Sequence, residues 1–142
     1  MQRTLSPIDG SVYVERELAS PAGINAALDR ARLAQRAWRS VSVAERAQIL
    51  SRFCDVFESQ RDDIATELTW QMGRPIAYTA KEITTAVKRA EYLLKISGDV
   101  LKDTDGEAEK GFKRFIRKMP VGPILILFAW NASISSLRIG PF

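Results

Sequence analysis

The stretch PVGPILILFAWN, Pro120 to Asn131, decides how the chain is read. Ile124 to Phe128 are five consecutive apolar residues behind a Pro120-Val121-Gly122-Pro123 corner. The run is short enough for a strand, and it lacks the alternation of a strand with one wet face. That is the pattern of a strand buried on both faces of a parallel sheet. Parallel neighbours need crossover connections, and only Ala132 to Phe142 follow Asn131. The strand therefore reads as the opening of a sheet rather than a finished one.

Upstream the pattern is helical. Turn chemistry at Pro7-Ile8-Asp9-Gly10, followed by a short alternating stretch from Val12 to Leu18, predicts a small peripheral hairpin or strand. Ser20-Pro21 supplies an N-cap with proline at the first helical position, and Ile24, Ala27, Leu28, Ala31, Ala34 and Trp38 recur at helical spacing. Ser42-Val43-Ala44-Glu45 is a capping box opening a second amphipathic helix to about Ser59. A third helix is expected from Asp62 to Met72, with Asp62 and Asp63 in its first turn and Gly73 as a left-handed cap. From Pro75 a long fourth helix runs to about Gly98, its apolar seam formed by Ile76, Ala80, Ile83, Val87, Ala90 and Leu94. Polar Lys102 to Gly111 reads as a turn or loop, and basic Phe112 to Met119 as an extended segment.

The bulk numbers bound the function. With 142 residues, 46% hydrophobic and 27% charged, the chain has the balance of a soluble globular protein of one ordinary domain. Pro123 to Trp130, the longest apolar run, is well short of the roughly 18 residues that cross a bilayer, and MQRTLSPIDG has no apolar core behind Arg3. We expect a cytoplasmic protein with neither signal peptide nor anchor. The absence of histidine excludes a Ser-His-Asp triad, a Cys-His pair and the usual His-bearing zinc site within this chain. A single cysteine excludes an internal disulfide, and Cys54 shares a helical face with Ile49 or Leu50, Phe53 and Phe57, the setting of a buried structural thiol. The formal charge of +4 is modest, and much of it lies in Lys110, Lys113, Arg114, Arg117 and Lys118. These read as the solvated face of a hairpin or edge strand. A nucleic-acid surface is the alternative, but no RNP, zinc-knuckle or helix-turn-helix signature accompanies them.

In their order along the chain these pieces resemble the NAD(P)-dependent aldehyde dehydrogenase superfamily. SPIDGSVY is similar to the family's opening Pro-x-x-Gly turn. ARLAQRAWRSVSVAERAQILSRFCDVFESQRDDIATELTWQMGRPIAYTAKEI resembles its N-terminal helical block: a helix ending in Trp38, a Ser-x-x-Glu-Arg cap, an apolar helix, and an acidic-started helix closing on Met72-Gly73-Arg74-Pro75. Arg74 stands where the family usually has lysine. PVGPILILFAWN resembles the Pro-x-Gly segment that leads along the first strand of the dinucleotide-binding domain into a Trp-Asn pair, with Ala129 in the place many members fill with proline.

The resemblance implies an α/β fold: an N-terminal helical block, a hairpin, and the first strand of an incomplete Rossmann-like domain. Residues 1–142 would be the N-terminal part of the cofactor-binding domain, with about 112–119 an oligomerisation-arm strand and 132–142 a divergent tail. It implies oxidation of an aldehyde to a carboxylic acid with NAD or NADP as cofactor. Asn131 would be the catalytic donor to the oxyanion, and the main chain of Phe128, Ala129 and Trp130 would line the nicotinamide side; no metal is implied. Without the family, an asparagine at a strand end reads as a turn cap and Trp130 as core.

After Asn131 the family pattern of Asn-x-Pro, a helix, an Ala-Gly-Asn turn and Lys-Pro-Ser is not followed by ASISSLRIGPF. The family's phosphate turn, general-base glutamate and catalytic cysteine have no counterpart, so the chain alone is expected to be catalytically incomplete. Three functions compete: a portion of an aldehyde-oxidising enzyme, a non-catalytic module docking onto full-length relatives, and a basic nucleic-acid binder. The expected partners are an aldehyde substrate and related subunits, with no nucleic acid and no membrane.

Overall fold

The structure is a computed structural model that describes residues 1–127. Its elements are strands β1 (Gln2–Leu5) and β2 (Val12–Arg16), helices α1 (Pro21–Trp38), α2 (Val43–Ser59), α3 (Arg61–Met72) and α4 (Ile76–Val100), and strands β3 (Thr104–Asp105) and β4 (Phe115–Ile116). Each pair of strands forms its own two-stranded antiparallel sheet. The mixed α/β class expected from the sequence holds. None of the helices among the described residues is long and apolar enough to cross a membrane.

The first hairpin is tied by its turn. Ser6, 1% exposed, donates its N–H to the Ser11 carbonyl at 2.8 Å and accepts from the Gly10 N–H at 2.9 Å. Gly10 takes φ 73°, a left-handed value that glycine adopts without strain. The Asp9 carboxylate accepts from the Ser11 N–H and hydroxyl at 3.0 and 2.7 Å, and these bonds, the backbone one first, hold its carboxyl below the ordinary value. The hairpin sits on the α3–α4 corner: a Cβ at Gly73 would fall 2.9 Å from Pro7 Cγ. Tyr13 stacks on Trp70 with ring centroids 6.4 Å apart and planes 9° from parallel. A side-chain hydrogen bond to Glu67 holds the Tyr13 hydroxyl above its usual pKa.

The caps read from the sequence form as expected. Ser20 Oγ accepts from the Gly23 N–H at 3.1 Å. Ser42 Oγ accepts from the Glu45 N–H at 3.2 Å while Glu45 Oε2 accepts from the Ser42 N–H at 3.1 Å, closing the capping box. Gly73 ends α3 at φ 71° and donates its N–H to the Thr69 carbonyl at 2.8 Å.

Helix α4 is the spine, with α2 and α3 packed against it. Cys54, Val87 and Ala90 form the core cluster, flanked by Leu50, Phe57 and Leu94. Of the expected seam, Ile83, Val87 and Ala90 are buried, Ala80 and Leu94 are half-buried, and Ile76 is exposed. Thr79 and Ser97 join the stripe because each satisfies its hydroxyl on its own helix, donating to the Pro75 and Leu94 carbonyls at 3.1 and 2.7 Å. Thr84 Oγ1 donates to Glu58 Oε1 at 3.0 Å and links α4 to α2.

Three expectations are modified. α1 has its predicted length and cap but buries none of its residues, and Ile24 and Leu28 stay half in water, because no described element covers that face. The stretch 102–111 is not all loop: Thr104–Asp105 pairs with Phe115–Ile116, and Arg117 grips Asp103 at 2.8 Å across the hairpin. The apolar run does not form a strand in residues 124–127, which have no regular structure; Leu125 and Leu127 are 82% and 86% exposed. A ladder needs a neighbour, and among the described residues none lies beside this run.

Candidate functional site

The chain is steered toward the candidate site by its second hairpin. Arg117 Nε reaches both Asp103 carboxylate oxygens, at 3.2 and 3.1 Å, and Lys118 Nζ donates to the Lys102 carbonyl at 3.3 Å. These bonds tie the outgoing segment to the end of α4. Hydrogen bonding to Arg117 holds the Asp103 carboxyl below its ordinary value. Arg114 pairs with Glu109, so two of the five cations in this segment are engaged by carboxylates of the same hairpin.

Beyond Lys118 the chain turns through Pro120, Gly122 and Pro123. Gly122 adopts φ 113°, a conformation that strains any side-chain-bearing residue, while the prolines fix the flanking φ angles. The segment then forms one wall of a mainly apolar cleft of about 830 Å³. Ala34, Trp38 and Val41 from the end of α1 and its following turn face Met119 and Ile124, and the buried Arg46 of α2 lies at the same cleft. The sequence did not signal this meeting, since Trp38 and Met119 are far apart in the chain and only the fold joins them.

The residues assigned to chemistry, Phe128, Ala129, Trp130 and Asn131, lie outside the described residues, immediately after Leu127. Cys54 is placed clearly. It is 2% exposed in the core, and burial first, then Glu91 and Asp55, raises its thiol pKa above the ordinary value. A neutral, enclosed thiol is no nucleophile. Among the described residues no group of three or more acidic or thiol ligands could hold a metal.

A dinucleotide needs glycine-lined backbone at a helix N-terminus to receive its phosphates. The described glycines with positive φ are Gly10, Gly73, Gly111 and Gly122. Gly10 and Gly111 lie in hairpins, Gly122 leads into irregular chain, and Gly73, the one near a helix start, faces Pro7. The described residues therefore form no phosphate cradle.

Residues 1–138 match the model of the Aldehyde dehydrogenase family. The chain is 29% identical to the NADP(+) succinate-semialdehyde dehydrogenase of Escherichia coli (strain K12), over 82% of this chain and 24% of that protein. It is 27% identical to the D-glyceraldehyde dehydrogenase (NADP(+)) of Thermoplasma acidophilum, over 96% of this chain and 28% of that protein. Among solved structures, 3,6-anhydro-L-galactose dehydrogenase superposes with a TM-score of 0.85 at 20% identity, covering 94% of this chain and 28% of the other, a likeness of fold. The chain spans about a quarter of the length of these relatives.

Proposed function

Because the chain belongs to the aldehyde dehydrogenase family, we propose that it is the N-terminal portion of an NAD(P)+-dependent oxidoreductase that converts an aldehyde to a carboxylic acid. The observation that carries this reading is the match of residues 1–138 to the family, running through the helical block into PVGPILILFAWN. In this chemistry a thiolate adds to the aldehyde carbonyl carbon and the oxygen gathers negative charge; a bound NAD(P)+ would supply the hydride acceptor, and water would hydrolyse the resulting thioester to the carboxylic acid. The part assigned to this chain is Asn131. Its side-chain amide N–H donates to the charged oxygen, which stabilises the transition state more than the neutral aldehyde. On the same reading the main chain of Phe128 to Trp130 would line the nicotinamide side of the cofactor site. Cys54, sealed in the core, does not supply that thiolate. By this reading residues 1–142 do not catalyse alone, residues 112–119 are an oligomerisation-arm strand, and the protein is cytoplasmic.

Both curated relatives carry NADP(+) in their names, which supports NADP+ as the acceptor to assay first, with succinate semialdehyde and glyceraldehyde as first substrates. The test is Asn131→Ala in a polypeptide that carries the remainder of the family fold. Turnover should fall by on the order of 10²-fold or more. Unchanged turnover would remove Asn131 from the chemistry.

A second reading is a module that docks onto full-length relatives. It is favoured by the apolar groups the second hairpin leaves in water, Phe112, Phe115 and Ile116. A tagged full-length relative, co-expressed with this chain, should then retain it through purification, and recovery of none of the chain would end this reading.

A further inference from the structure

We draw no further inference here: the strongest candidate, the apolar cleft between the C-terminal end of α1 and residues 118–124, carries no proposal because nothing among the described residues shows what covers it.

Discussion

Cys54 shows how far a single side chain's chemistry depends on its place. Its thiol lies against Val87 and Ala90 of α4, so reagents reach it only when α2 separates from α4. Labelling by an aromatic disulfide should be on the order of 10²-fold slower in the native protein than in urea. Equal rates would show that the core is open. The folded protein also favours the protonated thiol, since its pKa lies above the ordinary 9.0. The stability this provides is fully present below about pH 9 and is lost as pH rises through the folded value. Cys54→Ala should therefore flatten the alkaline end of a stability-versus-pH curve measured by urea unfolding. The burial of Cys54 was legible in the sequence because Leu50 and Phe57 mark its helical face. The burial of Thr79 and Ser97 was not, because their hydroxyls find carbonyl partners only once α4 exists.

At the scale of elements, two serine caps should have different global effects. Ser42 opens α2, which packs against α4, so Ser42→Ala should lower the unfolding free energy by about 1 kcal/mol. Ser20 opens α1, which buries none of its residues. Ser20→Ala should fray α1, seen as loss of helical circular dichroism, and leave the urea midpoint nearly in place. Equal shifts for the two would mean that α1 is part of the cooperative unit. Ile83→Ala at the fully enclosed centre of α4 should cost about 2–5 kcal/mol. Helix boundaries were legible here because Ser20-Pro21, Ser42–Glu45 and Met72-Gly73 are punctuation that acts locally. What each helix packs against was not, because the apolar stripe of α1 has the same periodicity as that of α2 yet none of its residues is fully buried. Periodicity reports a face and says nothing about its cover.

For the whole molecule, the exposed run at residues 124–127 governs behaviour in solution. Ile124, Leu125, Ile126 and Leu127 lie in water with no charged residue among them to discourage pairing. The isolated chain should self-associate with rising concentration in light scattering, and Leu125→Lys with Leu127→Lys should return it toward the monomer. Scattering that stays at the monomer value before substitution would refute this. The sequence pattern reads as a strand built to be buried, but only neighbouring strands can turn it into part of a sheet, and those neighbours are not found among residues 1–127. For the same reason the proposed site at Phe128 to Asn131 rests on its motif and not on its surroundings.

The seating of the first hairpin on the α3–α4 corner also sets a timetable for synthesis. Residues 2–16 leave the ribosome before α3 does, and Tyr13 and Pro7 have nothing to rest on until Trp70 and Gly73 have emerged. At about 5–20 residues per second that is a wait on the order of seconds, and a lone two-stranded ribbon is marginal in water. The nascent hairpin is therefore open to chaperones and proteases until the third helix is complete.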